Sequence, residues 1–313
     1  MAHHELKASP ATVHWGFWDG SLPPVLTVRS GDEVTVQTVS GSPDAVPEDR
    51  GRIPPALLEI FAKAPKGEGP HILTGPILVE GAEVGDVLEV QILDIQPGQD
   101  WARNHMVPFK GTLPEDFPTF WKTHIDVDLQ RKVARWIPGV EVPLRPFFGN
   151  FGAAPAARYG RVTSHYPGEY GGNMDNKELI AGTTAYFPVW NRGALFSAGD
   201  GHGAQGDGEC DQTAIEMAMT GRFRLILRKD LSLKRPQAET PTHYITMGFD
   251  WDLDDAVKMA LREMIDYLVR TRSMSREQAY SLCSNAVDIR ITQLVNVFRG
   301  AHCMLPKGIF VDR

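Results

Sequence analysis

The sequence predicts an α+β fold that is mostly β, with a β-sandwich core of packed sheets and a helical pair near the C-terminus. Before residue 230, apolar residues alternate along several short segments, a pattern typical of half-buried strands. After Phe249 the apolar residues follow a helical period instead. Because no linker, low-complexity run or charge block divides the chain, we expect one domain over residues 1–313.

The first hundred residues contain two similar strand phrases. Segment 25–39 (VLTVRSGDEVTVQTV) is predicted to form a hairpin around Gly31 and Asp32. Segment 71–97 is predicted to form two strands about a turn at 81–86, which repeats the Gly-Asp step at Gly85 and Asp86. A short helix is expected between them, from about Pro55 to Ala64. The first residues, with His3 and His4, are expected to be a loose tail.

The middle of the chain is less regular. Residues 98–170 are rich in aromatic residues and proline, which favours long loops or the walls of a pocket, and for segment 125–137 an extended stretch and a helical turn stay open. Residues 183–200 are predicted to form a hairpin with its turn at 191–193, which would place Asp200 at the tip. A further strand is expected over 223–230.

The C-terminal region carries the helical signals. One stripe of residues 252–272 is apolar, and acidic residues occupy the first turn, as in an amphipathic helix. Ser275 followed by Gln278 forms a capping-box pattern for a second helix through Cys283. Segment 287–296 (VDIRITQLVN) returns to apolar alternation, and a loose tail is expected after it.

Composition excludes several classes of function. The net charge of −7 argues against a nucleic-acid partner, which requires a basic face. No stretch approaches the roughly 20 apolar residues of a membrane span, and the N-terminus lacks the apolar region of a secretory signal. Three cysteines without a C-x-x-C spacing (Cys210, Cys283 and Cys303) favour a reducing compartment. We therefore expect a cytoplasmic protein.

Two glycine-rich clusters point to a functional site. Residues 171–175 (GGNMD) and 199–209 (GDGHGAQGDGE) enclose strand-like sequence, and apart from glycine and alanine the second cluster holds only carboxylates, an imidazole and an amide. Glycine allows the backbone to approach a ligand closely. Asp200 and His202, two residues apart, would project to one side of an extended chain. The alternative for such a segment is a solvated loop.

Three phrases, in this order, carry a resemblance to a known family: LTGPILVEGAEVGDVLEV, PGEYGGNMDNKEL and FSAGDGHGAQGDGE. With the later DIRITQLVN they resemble the acetamidase/formamidase family of amide hydrolases, from about Pro24 to Pro306. The resemblance implies a β-sandwich with added helices, hydrolysis of short aliphatic amides to a carboxylate and ammonia, a divalent metal, and a homo-oligomer that is a dimer or larger. The chain differs from plain members in an aromatic-rich segment, about Asp100 to Trp136, and in the phrase HWGFWDG. Both could reshape the pocket and change the preferred amide, linear or cyclic.

Hydrolysis of an amide assigns roles to the polar residues of both clusters. Asp175, Asp200 and His202 are the predicted metal ligands, and a cation there would polarise the carbonyl and acidify water. Zinc suits a hydrolytic set with a histidine, whereas carboxylate-rich sites also take calcium or manganese. His71 is an optional further ligand, with a structural hydrogen-bonding role as its alternative.

Further polar residues are candidates for proton transfer and substrate binding. Glu209 is the candidate general base and later proton donor to the leaving nitrogen, and Asp207 competes for that role or orients His202. Asn173 and Gln205 could hold the substrate oxygen, although Asn173 could also be a turn residue.

Two other functions stay open. Cys210 could be the nucleophile of a cysteine amidase, but a residue next to Glu209 in a strand would point to the opposite face. The protein could also bind a small amide or a metal without turnover.

Overall fold

The computed structural model describes residues 1–311 and contains two large sheets, two small sheets and three α-helices. The helices are α1 (Pro55–Lys63), α2 (Leu253–Arg272) and α3 (Arg276–Ala286). The strands are β1 (His3–Leu6), β2 (Val13–Trp15), β3 (Phe17–Asp19), β4 (Leu26–Val28), β5 (Glu33–Gln37), β6 (Ile72–Val79), β7 (Val87–Pro97), β8 (Trp101–Met106), β9 (Trp121–Asp128), β10 (Val133–Ile137), β11 (Val140–Pro143), β12 (Phe147–Gly152), β13 (Arg161–Thr163), β14 (Pro167–Gly168), β15 (Gly171–Asn173), β16 (Thr184–Pro188), β17 (Phe196–His202), β18 (Met219–Arg228), β19 (Gln237–Glu239), β20 (His243–Asp250), β21 (Asp288–Gln293) and β22 (Arg299–Pro306).

The sheets draw strands from distant parts of the chain. The nine-stranded sheet has the order β1-β5-β18-β7-β16-β19-β20-β22-β21, so both ends of the chain contribute to it. The seven-stranded sheet has the order β14-β15-β12-β17-β6-β2, and β4 also pairs with β6. A four-stranded antiparallel sheet (β11-β10-β9-β8) and the pair β13-β3 complete the topology.

An aromatic cluster joins the two large sheets. Phe223 on β18 of the nine-stranded sheet faces β12 and β17 of the seven-stranded sheet. Its ring centroid lies 5.5 Å from that of Phe148, 6.5 Å from Phe151 and 5.4 Å from Phe196. All four rings are buried. The predicted β-sandwich of packed sheets is therefore confirmed.

The predicted helical pair is also confirmed. Asp252 caps α2 by accepting hydrogen bonds from the backbone nitrogens of Asp254 and Asp255, and Ser275 and Gln278 form the capping box of α3. The apolar stripe of α2 packs in one buried cluster with Cys283 of α3 and with β22. The sequence pattern located this pair correctly because both caps are local interactions. Within residues 1–311, no helix is both long and apolar enough to cross a membrane.

The two predicted hairpins are wrong in their pairing. Strands do form on both sides of Gly31, but β4 pairs with β6 and β5 pairs with β1 and β18. Likewise β16 pairs with β7 and β19, whereas β17 pairs with β12 and β6. Each turn thus carries the chain from one large sheet to the other. Alternation identifies the buried face of a strand but not its partner, so the pattern could not separate a hairpin from a corner.

Three segments expected to be irregular are ordered strands. Residues 101–143, for which long loops or the walls of a pocket were the expectation, contain the four-stranded sheet and several residues that line a cavity. Segment 125–137 is extended in β9 and β10. The expected N-terminal tail contains β1, which pairs with β5 in parallel, and the expected C-terminal tail contains β22. Proline and aromatic content misled the prediction in the first case. In the other two, long-range pairing decides the structure.

Candidate active site

The neighbouring strands β12 and β17 bring the predicted residues together. Asp200 and His202 lie on β17, which pairs with β12 from Phe147 opposite His202 to Gly152 opposite Ser197. Asp175 follows β15, the other neighbour of β12, and its backbone nitrogen donates to the Gly149 oxygen at 3.1 Å. The two clusters, about thirty residues apart in sequence, therefore meet across a single strand.

The three predicted metal ligands form one buried group. The His202 Nε2 atom lies 3.4 Å from Asp200 Oδ2 and 4.0 Å from Asp175 Oδ1. One possible ligand atom from each of the three lies within 4.8 Å of those from the other two. His202 also belongs to a second such group with Glu209 and Glu216, and its Nε2 lies 3.3 Å from Glu216 Oε1.

The surroundings of this group could accept a cation. Among the described residues, His202 Nε2, Asp175 Oδ1 and Glu209 Oε2 are buried without a hydrogen-bond partner. A Cβ atom at Gly149 would lie 2.7 Å from Asp200 Oδ2 and 2.8 Å from His202 Cε1, so the glycine leaves a hollow beside the carboxylates. One imidazole nitrogen and two carboxylate oxygens are a donor set that fits a divalent metal.

Charge and burial shift the pKa values of this cluster. Burial, together with the Asp200 carboxylate, raises the pKa of Asp175 to about 6. Burial and neighbouring Asp175 raise the pKa of Glu209 well above its ordinary value. Burial alone would lower the pKa of His202, but the carboxylates of Glu216 and Asp200 outweigh it and raise the pKa well above its usual range. Strongly shifted pKa values in a cavity are typical of functional sites.

The acidic residues of the site also have unusual backbones. Asp175, Asp200 and Glu209 adopt φ angles of 49°, 58° and 46°. This left-handed region is unfavourable for residues with a side chain. Strained residues of this kind cluster at functional sites, where the surrounding structure holds them in place.

A cavity of about 240 Å³ opens beside the cluster. Asp175, Asp200, Glu209 and Glu216 line it, as do Asn173 and His71. The Asn173 side chain is buried, and its Oδ1 has no partner among the described residues. The His71 Nε2 atom lies 3.5 Å from Asp200 Oδ2, while its Nδ1 lies 2.9 Å from the Ser164 carbonyl oxygen. His71 thus touches the predicted ligands but lies outside both groups of possible metal ligands.

Gln205 and Asp207 lie differently from the prediction. Gln205 donates from Nε2 to the Asp175 carbonyl oxygen at 2.8 Å, and its Oε1 lies 2.9 Å from His202 Nδ1. Its amide therefore contacts Asp175 and His202 but does not line the cavity. Asp207 is exposed and pairs with Lys177 at 3.0 Å. Gln205, and not Asp207, therefore lies beside His202 and orients its ring. These two loop residues differ in their hydrogen-bond and ion-pair partners, which their spacing in the sequence did not reveal.

The cysteine of this region lies apart from the cavity. Cys210 is exposed and lines a different groove, although it follows Glu209 directly in sequence. The thiol does not line the cavity that contains Asp200 and Asn173.

Sequence reasoning missed two residues of the site. Glu216 is the only charged residue between Asp211 and Arg222, and its isolation in the apolar run AIEMAM was an available signal. Asn296 ends the family-like phrase DIRITQLVN, and its Nδ2 donates to Asp175 Oδ2 and, at 3.0 Å, to the Asn173 carbonyl oxygen. Both residues reach the site only through long-range contacts.

Comparison with known proteins identifies the family. The model of the acetamidase/formamidase family matches residues 3–166 and 156–312. The chain belongs to the acetamidase/formamidase family. It is 27% identical to a formamidase of Methylophilus methylotrophus over 94% of this chain and 88% of that protein.

Solved structures show the same architecture. An acetamidase from Bacillus halodurans is 30% identical with a TM-score of 0.85, over 98% of both chains. A gamma lactamase from Delftia acidovorans is 27% identical with a TM-score of 0.64, over 97% of this chain and 90% of that one. The resemblance stated from the sequence motifs is therefore confirmed, as is the fold that it implied.

Proposed function

We propose that this protein hydrolyses the C–N bond of a small amide, linear and aliphatic or cyclic, to a carboxylate and ammonia or an amine. Membership of the acetamidase/formamidase family makes it an amidohydrolase acting on small linear amides. The observation that carries the finer proposal is the convergence of Asp175, Asp200, His202 and Glu209 beside one cavity of about 240 Å³. A cavity of this size suits a small substrate, since typical drug-sized ligands need about 300 Å³ or more.

The proposal assigns a divalent cation, zinc before calcium or manganese, to Asp175, Asp200 and His202. When bound, such a cation would supply Lewis acidity, polarising the substrate carbonyl and lowering the pKa of water to about 7. Gln205 supports this assignment. Because its Nε2 donates to the Asp175 carbonyl oxygen, its Oε1 is free to accept from Nδ1–H of His202. This arrangement orients the imidazole so that Nε2 faces the carboxylates.

Glu209 is proposed to move the proton. Burial and the neighbouring Asp175 raise the pKa of this carboxyl group well above its ordinary value, which favours a group that holds a proton and can pass it on. The carboxyl group faces the cavity and could therefore deliver a proton to the leaving nitrogen. Asn173, whose Oδ1 lacks a partner among residues 1–311, is proposed to orient the substrate by its amide.

Release of ammonia tests this function directly. Metal-replete protein is expected to release ammonia from at least one of formamide, acetamide and butyramide, or to open a lactam such as 2-pyrrolidinone. A chelator is expected to abolish the release, and one divalent ion to restore it. Binding of these amides without turnover would favour the non-catalytic alternative. Full activity of protein shown by elemental analysis to be metal-free would refute the role of the cation.

The cysteine alternative is tested by Cys210→Ala. We expect this variant to keep most of the amidase activity, because the thiol is exposed outside the cavity. A folded but inactive variant would restore the thiol mechanism, and circular dichroism checks the fold.

The proposal also includes a homo-oligomer, a dimer or larger. The segment after β8 exposes several large apolar side chains, which are costly to leave in water: Phe109, Leu113, Phe117, Phe120 and Trp121. Light scattering of the purified protein measures the assembly, and a monomer at all concentrations would contradict this part.

A further inference from the structure

One part of the cavity wall contains two positively charged side chains and two histidines. It contains Arg103 and His105 of β8, the following residues Val107 and Lys110, and His165. The first four belong to the four-stranded sheet and the loop that follows β8. The proposed hydrolysis of a neutral amide gives no role to the cations of this wall.

Arg103 has few partners for its charge. A guanidinium carries five N–H donors. The only hydrogen bond of this guanidinium among the described residues joins Nη1 to His105 Nδ1, at 2.9 Å. Its Nη2 lies 3.9 Å from Glu216 Oε2, which is too far for a hydrogen bond, and its Nε is buried without a partner. Only 13% of the side chain is exposed, so water satisfies little of it.

Glu216 does not neutralise this arginine by itself. Its Oε1 accepts from the Ala214 backbone nitrogen at 3.1 Å and lies 3.3 Å from His202 Nε2. Its Oε1 atom is therefore already shared between the Ala214 amide and the imidazole, and only Oε2 lies near Arg103, at 3.9 Å. A buried cation with incomplete pairing is costly, and an anionic ligand would relieve that cost.

The histidines of this wall do not share the positive charge. Burial lowers the pKa of both His105 and His165 to about 4, and the nearby cations Arg103 and Lys110, respectively, lower it further. Both rings are thus neutral at pH 7. Arg103, deep in the wall, and Lys110, exposed at the rim, supply its positive charge.

We propose that the preferred substrates are short amides whose acyl chain carries an anionic group, bound by Arg103 with Lys110 at the rim. This inference rests on the proposed function, because the amide end must reach Asp200 and His202. One carboxylate, Glu216, separates the guanidinium from His202, so only a few carbons can lie between the anionic group and the amide. The methylene groups would lie against Val39 and Ile72, which also line the cavity. A carboxylate suits a guanidinium because the two can form paired hydrogen bonds.

Two amides of equal length test the inference. Succinamate carries a carboxylate where butyramide has a methyl group. In metal-replete wild-type protein, kcat/KM for succinamate is expected to exceed that for butyramide. In Arg103→Gln this ratio is expected to fall about 10- to 100-fold, as for loss of hydrogen bonds to a charged group. Lys110→Met is expected to lower it about threefold, because the rim is exposed.

A matched variant controls for the loss of charge. Arg135 lies on β10 of the same four-stranded sheet, is exposed, and pairs with Asp128 at 2.7 Å outside the cavity. Arg135→Gln removes the same charge from the same sheet and is expected to leave the ratio unchanged. If Arg103→Gln does not fold, two other measurements test the inference. The ratio of kcat/KM for succinamate to that for butyramide is expected to fall in Lys110→Met, and in the wild type it is expected to fall with added salt.

Each other outcome decides against the inference or against the proposed function. Equal loss of kcat/KM for both amides in Arg103→Gln would overturn the anion site and give Arg103 a role in the reaction. A wild-type preference for butyramide would overturn it too, while the hydrolase would stand. If neither amide is turned over, calorimetry decides. Tighter binding of succinamate than of butyramide, with this difference lost in Arg103→Gln, would uphold the anion site, and equal binding would overturn it. The wider panel of amides described above would then decide whether the protein is a hydrolase.

Discussion

Several residues of the cavity have unfavourable backbone conformations, which the contacts around them must stabilise. The left-handed backbones of Asp175, Asp200 and Glu209 each cost about 1 kcal/mol or more. Burial of their carboxyl groups adds a further cost, visible in the raised pKa values of Asp175 and Glu209. A folded chain tolerates such a cluster when the contacts around it fix every member. For Asp175 those contacts come from Asn296 and Gln205.

The roles of Asp200 and Glu209 can be separated by a matched pair of amide substitutions. Glu209→Gln is expected to keep the bound metal and to lower kcat by roughly two to four orders of magnitude, since the proton carrier is lost. Asp200→Asn is expected to lose metal, because a charged ligand is replaced by a neutral one. Metal content by mass spectrometry and ammonia release by steady-state kinetics check both. Metal loss in Glu209→Gln would instead assign the cation to the second group, with His202 and Glu216.

At the level of residues, spacing predicted the part of the site that is local. Asp200 and His202 are two positions apart on one strand, and period-two geometry places both side chains on one side. Paired glycine-rich clusters then indicated Asp175. Glu216 and Asn296 could not be found in this way, because each lies in a separate element and meets the others only in the folded chain. The same limit applies to Gln205. The sequence indicated an amide side chain near the site, but not that this amide contacts His202 and Asp175.

At the level of elements, β12 provides the floor of the site. Its Gly149 lies between the pairs Phe148–Gly201 and Asn150–Gly199 of the β12–β17 ladder, next to Asp200. A side chain at this position would occupy the space between Asp200 and His202. The strand therefore pairs with β17 and, through Gly149, also leaves the hollow beside the carboxylates.

Gly149→Ala tests this role of β12. The added methyl group is expected to lower metal affinity and kcat/KM at least 10-fold, because it must displace Asp175, Asp200 or the imidazole. Calorimetry of metal binding and ammonia release measure the effect. The control is Gly308→Ala, since a Cβ there meets no atom within 4 Å. A Gly149→Ala variant with wild-type metal affinity would contradict the proposed position of the cation.

The Asp32 carboxylate adds to the pairing of the edge strand β1 with β5. Asp32 Oδ1 accepts from the Ala2 backbone nitrogen at 2.6 Å, and Oδ2 lies 3.2 Å from His4 Nε2. The hydrogen bond from Ala2 lowers the pKa of Asp32 to about 2 against the opposing effect of burial. A lowered pKa in the folded state stabilises the fold above the unfolded pKa, about 4. That contribution is lost as the pH falls from about 4 to 2.

Asp32→Asn is therefore expected to reduce the free energy of unfolding by about 1–2 kcal/mol at pH 7. The difference from wild type should shrink as the pH approaches 2, because the wild-type carboxylate becomes protonated. Urea titrations at several pH values check this expectation. Asp116→Asn, at an exposed position, is the control. A difference that stays constant from pH 7 to 3 would show that the charge of Asp32 does not hold β1.

At the level of the whole molecule, the chain crosses repeatedly between the two large sheets. The segments from β4 to β5, β6 to β7 and β16 to β17 each leave one sheet and enter the other. Fold class was predictable because alternation and helix caps are local. Two of these corners, β4 to β5 and β16 to β17, differ from the predicted hairpins because partner choice depends on distant strands. The chain therefore links the two large sheets at each of these corners. The aromatic cluster between them is the place where this coupling can be measured.

Phe223→Ala tests the coupling of the two sheets. Loss of a buried aromatic ring that touches Phe148, Phe151 and Phe196 is expected to cost about 3–5 kcal/mol. Because both sheets share this core, unfolding should stay a single transition, with the same urea midpoint by circular dichroism and by tryptophan fluorescence. Val84→Ala, at an exposed position in a turn, is the control and should change stability by less than about 0.5 kcal/mol. Two separate transitions in Phe223→Ala would show that the sheets unfold independently and that the site between β12 and β17 does not depend on the nine-stranded sheet.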